Sequence, residues 1–461
     1  MNTTETSCTA SVDRESDSDQ PPDSCGLSGP YVAAEQNLSR HRLPAQADPL
    51  RWNDWRWQMR QRIRSVSQLC RRFPDLTDIS GIEAAATRFP MAITPYYASL
   101  IRTPDASDPV FQMATPSLDE LVDPPWLADD PLEEEADMPV PGLIHRYEDR
   151  ALILTTTTCS MYCRHCTRKR VAGQRESVIS ASALKRISAY LRQHPEIHDV
   201  IVSGGDPLTL PTCMLQRTLE AVRQVPSVDI IRIGTRVPVV LPMRVTSDLI
   251  AMLRQFHPLY INTHFNHPVE ITPQSADACT RLADAGIPLG NQTVLLRGVN
   301  DDAPLLADLF RRLLTQRVRP YYLFQCDLVR GVEHFRTPIS RGIEIMEYLR
   351  GRLSGLAIPS YVVDTPHGGG KIPLTPHYIV SSSPTHTALR NFEGMIVAYP
   401  EPVRGHAEPR RATPRTGPVG VWDVAVGRAT HLAPENSARL SRRREDVSPS
   451  CKPMPNPPQQ G

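Results

Sequence analysis

The sequence predicts an α/β protein built as a partial TIM-like (β/α) barrel, and three observations carry that prediction. Apolar, β-rich runs occur at 151–157, 199–203, 228–234, 258–263, 288–295, 319–325 and 360–363, most of them starting about thirty residues apart. Helical patterns fill the gaps at 214–224, 247–256, 274–285, 303–317 and 339–353, which is the rhythm of repeated βα units on a parallel sheet. Polar residues gather just past the strands: Cys159, the turn Ser203-Gly204-Gly205-Asp206, Thr235-Arg236, His264 and Asn266, Arg297, Asp327 and Asp364. In a βα barrel those ends form one face, so residues distant in sequence converge on one cavity. Polar βα loops are ordinary in themselves, and the motifs must decide what the face does.

Taken in order, residues 1–48 are rich in Ser, Thr, Asp and Pro without apolar periodicity and are expected to be disordered. Residues 49–142 read as a helical region and connector. Trp52, Trp55, Met59, Ile63 and Val66 fall at helical spacing and read as packing residues, whereas 105–142 is Pro- and acid-rich and reads as a long linker. The barrel is expected over 143–380, a segment packing on it over 381–402, and a disordered Pro/Arg-rich tail over 403–461.

Composition narrows the partners. Lys+Arg number 51 against 50 Asp+Glu, so no global field steers the chain onto nucleic acid, and the basic tail lacks interleaved aromatics for stacking bases. No apolar run is long enough for a membrane helix and the first residues are polar and acidic, which gives a cytoplasmic, membrane-free expectation. Ten cysteines are too few for a disulfide scaffold in 461 residues, yet three of them crowd into one short loop.

That loop is Cys159-Ser-Met-Tyr-Cys163-Arg-His-Cys166. Three thiolates can hold three irons of a [4Fe–4S] cube and leave the fourth iron without a protein ligand. Zinc normally takes four ligands, or three with water, and His165 offers a Cys3His alternative; the spacing and the place after a first strand favour the cluster. A second motif, Gly368-Gly369-Gly370-Lys371, fails as a phosphate loop because Ile372 follows the lysine. A lysine closing a glycine turn can carry pyridoxal phosphate as a Schiff base, or simply be solvated.

Over about 52–402 the chain resembles the radical S-adenosylmethionine enzymes and, more narrowly, the lysine 2,3-aminomutase family. The resemblance rests on WNDWRWQ, MAITPYY, CSMYCRHCTRKR, SGGDPL, RIGTRVPVVLP, NTHFNHP, GNQTVLLRGVN, RPYYLFQCDL, HFRTP, VVDTPHGGGK and LRNFEG. It implies an isomerase with a barrel of the radical SAM type, in which S-adenosylmethionine chelates the open iron and yields a 5′-deoxyadenosyl radical. It places Ser203, Gly204, Gly205 and Asp206 beside the methionine amine, with His264 and Gln292 among the cofactor contacts. It assigns pyridoxal phosphate to Lys371, the phosphate to Arg146 and Arg150, the substrate α-carboxylate to Arg168, and a distal cation to Asp327 and Asp364. Two carboxylates in a barrel mouth are costly unless a cation neutralises them, which points to a basic amino acid.

The implied reaction moves an amine from C2 to C3. An unactivated C3 hydrogen is beyond any side-chain base and requires a radical. L-Lysine to L-β-lysine is the first expectation and arginine to β-arginine the second, with an electron donor such as flavodoxin or ferredoxin and a homo-oligomer as partners. Two other readings are modification of a translation factor and a non-enzymatic iron–sulfur scaffold. The chain departs from the family where EPVRGHAEPRRATP lacks a cysteine cluster and where Asn300-Asp301-Asp302 stands, so no zinc is expected. His367 interrupts the glycine run and Val329-Arg330 follow Asp327; placed near the pocket, these changes leave room for arginine.

Overall fold

The computed structural model describes residues 48–366, 369–402, 420–429 and 431–432. Nine strands form one sheet in sequential order: β1 (Leu143–Tyr147), β2 (Arg150–Leu154), β3 (Asp199–Ser203), β4 (Ile230–Gly234), β5 (Leu259–Thr263), β6 (Leu289–Leu295), β7 (Val318–Gln325), β8 (Ser360–Thr365) and β9 (Gly370–Leu374). From β2 to β8 every pairing is parallel. The outer strands β1 and β9 run antiparallel to their neighbours. The backbone N–H of Lys371 in β9 donates to the Tyr147 hydroxyl of β1 at 2.9 Å, a side-chain bridge across the open side of the partial barrel.

Strand side chains alternate between two faces, and the sequence treats the faces differently. Val200, Val202, Ile231, Ile233, Leu259 and Ile261 are buried in the apolar layer beneath the helices. Their neighbours Asp199, Ser203, Arg232, Asn262 and Gln292 line an internal cavity. The interior is therefore polar at positions where a filled barrel would carry aliphatic side chains. The helices Ala181–Gln193, Thr212–Arg223, Ser247–Leu253, Pro273–Asp284, Ala303–Thr315 and Ile339–Leu349 lie between strands. In Ala303–Thr315 the buried stripe Leu306, Leu309, Phe310 and Leu313 follows the helical period, each side chain worth about 1.5–3 kcal/mol on burial. Asp302 starts that helix by accepting from the Leu305 N–H at 2.9 Å.

Four features differ from the sequence-based expectation. The flanking strands β1 and β9 depart from the expectation and put Arg146 and Lys371 on strands, while Arg150 opens β2 instead of lying just ahead of it. The amphipathic start is not one helix but Pro49–Trp52, Trp55–Arg60 and Val66–Arg72, because Asp54 and Ser65 turn their side chains onto backbone N–H groups and begin new helices. The supposed linker contains the buried helix Pro109–Ala114 and the turn Leu118–Leu121, whose Glu120 is fully buried. Within the stretch expected to be disordered, the helix Val421–Ala425 packs on a second sheet made of β10 (Ile379–Ser382), β11 (His386–Arg390), β12 (Ile396–Pro400) and β13 (His431–Leu432). Most of the remaining expected disorder, 1–47, 403–419 and 433–461, lies outside the described residues. Arg390 of β11 pairs with Glu347, joining this sheet to the last barrel helix. Among the described residues no helix is long and apolar enough to cross a membrane.

Candidate active site

A cavity of about 530 Å³ opens at the C-terminal ends of the parallel strands, and every site residue named from the sequence lines it. Lys371 and the three cysteines, more than two hundred positions apart, face the same space.

The cysteine loop follows β2 and is held from outside by the N-terminal region. Arg62 donates to the Cys159 carbonyl at 2.6 Å, and the Tyr162 N–H donates to the Ala92 carbonyl at 3.0 Å. Arg164, 1% exposed, forks onto Glu120 at 2.8 and 2.5 Å and donates to the Pro90 carbonyl. Lys169 reaches the same carboxylate at 2.6 Å and the Gly331 carbonyl at 2.8 Å. Burial, the nearby Asp206 carboxylate and the other thiols push Cys159 well above the ordinary thiol range; burial with Cys163 pushes Cys166 up to about 11. Arg236 donates to the Cys163 sulfur at 2.8 Å. Three thiols on one short loop, two of them resisting ionisation alone and the third beside a guanidinium, suit iron ions that would compensate the thiolates. Among the described residues no three such groups converge on a single ion, whereas in a cube each thiolate binds a different iron. His165 is committed to Asn266, whose amide is fixed by the Val294 N–H on its oxygen and donates to His165 Nε2 at 3.2 Å.

The turn after β3 lies flat on the strand leading to that loop. Gly204 has φ +127°, and a Cβ there would stand 2.5 Å from the Thr156 carbonyl; at Gly205 it would stand 2.4 Å from that of Thr158. Asp206 accepts from Leu208 N–H (3.0 Å), Thr235 Oγ1 (2.6 Å) and Arg236 N–H (2.8 Å). Its carboxylate thus braces the turn against β4 instead of standing free for an ammonium. Burial pushes it up to about 6 despite those donors. His264 shares its Nδ1 with the Gln292 carbonyl at 3.1 Å, and burial with the nearby Arg236 takes it down to about 4, so the ring is neutral.

The rest of the cavity wall carries the remaining charges. Lys371 stands across from Asp364 in the β8–β9 register and donates to it at 2.9 Å. Asp327 accepts from Thr167 Oγ1 at 2.6 Å; burial, with Asp364 nearby, pushes its carboxyl up to about 6. Arg168 is gripped by Glu134 at 2.9 and 2.6 Å. Arg146 pairs with Asp137 at 2.6 Å, and Arg150 pairs with Asp149 at 2.9 Å while lying over the Tyr147 ring. Val329 is buried with Met113 and Leu296 in a separate apolar cluster, and Arg330 pairs with Asp129 on the surface. Neither lines the cavity, which corrects the placement expected for them. His367 lies outside the described residues. Glu134, Glu120 and Thr167 escaped sequence reasoning, the first two because an acidic run among prolines reads as a solvated linker. Arg236 was noted only as a polar residue past a strand.

Residues 346–452 match the family model described as lysine-2,3-aminomutase, and 153–310 match that of the radical SAM superfamily. The L-lysine 2,3-aminomutase of Acetoanaerobium sticklandii is 48% identical over 397 residues, 85% of this chain and 96% of that protein. The chain belongs to the lysine 2,3-aminomutase family. As a member it is an isomerase of the radical SAM class, whose chemistry runs on a [4Fe–4S] cluster and S-adenosylmethionine. The non-enzymatic scaffold reading falls with that finding. Other aminomutases of the family differ in substrate: the L-lysine 2,3-aminomutase of Clostridium subterminale is 51% identical over 76% of this chain and 85% of its own. The glutamate 2,3-aminomutase of Clostridioides difficile is 45% identical over 75% and 82%. Such similar identities leave the choice of amino acid to the cavity's side chains.

Proposed function

We propose that this aminomutase converts L-lysine to L-β-lysine with pyridoxal phosphate carried on Lys371. The observation that carries the reading is the pair Asp327 and Asp364 lining one cavity together with Arg168. A glutamate side chain there would add a third carboxylate in a poorly solvated space, whereas an ammonium neutralises the pair. Arginine loses the support of Val329 and Arg330, which lie away from the cavity. A free amino acid also fits a site with a carboxylate grip, Arg168, and a cation grip better than a lysine on a protein partner does.

Cys159, Cys163 and Cys166 would hold the cluster, Arg146 and Arg150 the cofactor phosphate, and the Ser203–Asp206 turn a close backbone approach to S-adenosylmethionine. When bound, these groups supply a hydrogen-abstracting carbon radical and a π system through which nitrogen crosses from C2 to C3. The protein's own share is placement. Arg168 for the carboxylate and the two aspartates for the side-chain ammonium would hold lysine by its charged groups, which fixes C3 and limits rotation of a flexible chain. Thr167 keeps the Asp327 carboxylate aimed. The cavity walls would limit the access of water and stray hydrogen donors to a carbon radical. A flavodoxin- or ferredoxin-type donor would reduce the cluster.

The test is product chromatography after anaerobic reconstitution with iron, sulfide and pyridoxal phosphate, then dithionite, S-adenosylmethionine and lysine, arginine or glutamate. Lysine should give β-lysine at least tenfold faster than either alternative gives its β-isomer. Lys371→Ala should lose the bound-cofactor absorbance and the activity while keeping the brown cluster. Faster turnover of arginine or glutamate overturns the substrate assignment, and a retained cofactor band overturns that of Lys371.

A further inference from the structure

Arg168 does not hang freely into the cavity. Glu134 meets it edge-on, Oε2 accepting from Nε at 2.9 Å and Oε1 from Nη2 at 2.6 Å. The side chains are 8% and 18% exposed, so this fork is little screened by solvent. A guanidinium has a second usable edge, at Nη1 and the remaining Nη2 hydrogen, and Glu134 leaves it open.

Glu134 is itself fixed. The segment 128–137 is tied to the barrel by the Ala128 N–H on the Leu328 carbonyl and the Arg330 N–H on the Ala128 carbonyl, both at 3.0 Å. Arg170 pairs with Asp130 at 3.1 Å and approaches Glu134 at 3.7 Å, and Arg146 pairs with Asp137. Leu132 and Glu134 line the cavity from this strap.

We propose that Glu134 is a positioning residue for substrate recognition, holding one edge of Arg168 so that the other presents a ready-made fork to the α-carboxylate of the amino acid. The inference rests on the assignment of Arg168 made above and adds a residue from a segment that sequence composition marks as a linker. An unheld arginine would sample many rotamers and lose that freedom on binding; Glu134 removes the loss beforehand. Holding both partners in one plane also makes the site selective for a planar, two-oxygen anion over a point charge.

The experiment compares lysine with 1,5-diaminopentane, which keeps both amines and lacks the carboxylate, used as a competitive inhibitor of the reconstituted enzyme. Glu134→Gln should raise KM for lysine about tenfold, change kcat less than twofold and leave the inhibition constant of diaminopentane within twofold. Glu134→Asp, which keeps the charge, should recover part of the lost affinity and serves as the second variant if the glutamine form assembles poorly. An unchanged or lowered KM in both variants overturns the proposal, since a mere competitor for Arg168 would be relieved by its removal. Equal weakening of both ligands also overturns it, as general damage to the cavity. Arg168→Lys run alongside separates the two layers: if it leaves KM for lysine unchanged, the reading of Arg168 itself is wrong. If Arg168→Lys weakens lysine and the Glu134 variants do not, only the role of Glu134 fails.

Discussion

At the scale of single residues, the proposed role of Asp327 ties substrate binding to pH. Burial raises its carboxyl from the ordinary range to about 6, so below that pH the side chain is neutral and cannot pair with an ammonium. The sign for folding follows: the ligand-free fold gains from the retained proton below the ordinary carboxyl range, and that gain is lost as pH rises through about 6. KM for lysine should therefore climb as pH falls below 6, and Asp327→Asn should raise KM at pH 8 by roughly two orders of magnitude while flattening the profile. Steady-state assays between pH 5 and 8 check this; a KM independent of pH in the native protein would contradict it. Cys159, Cys163, Cys166, Asp327 and Asp364 were legible because they follow apolar β-runs at regular spacing. Their partners were not, since Glu134 and Thr167 gain meaning only when the chain brings them to those side chains.

Among the elements, the N-terminal region acts as a clamp on the cysteine loop. Glu120 carries two buried cations, Arg164 and Lys169; burial opposes its charge, but those cations outweigh it and hold the carboxyl below its usual range. Removing the carboxylate leaves both cations unpaired in the interior, at a cost of about 3–5 kcal/mol. Glu120→Gln should lower stability in anaerobic urea unfolding by that amount and reduce iron retained after gel filtration. Unchanged stability would show that the clamp is incidental. The parallel strands and their helices were readable from the alternation of periods, as β3 and its Val200 and Val202 show. Strand β9 was not: a glycine run, Lys371 and Pro373 give no alternating pattern, and its pairing with β8 is decided by tertiary contact. The broken start of the chain was hidden for the opposite reason, because Trp52, Trp55, Ile63 and Val66 fit one helix as well as three.

For the whole molecule, seven parallel strands bring a three-cysteine loop at one end of the sheet and a lysine at the other to a single cavity, with two aspartates and an arginine between them. Family membership says that the protein is a radical isomerase; the charges support the proposal that it takes lysine. The central claim is that nitrogen moves within one lysine molecule while it is held in that cavity. Nuclear magnetic resonance of the product from lysine labelled with 15N at the α-amine and 13C at C3 tests it most directly. A new one-bond coupling between the label nitrogen and C3 is the predicted result, and recovery of product without that coupling, or of lysine alone under reducing conditions with all cofactors bound, would contradict the account.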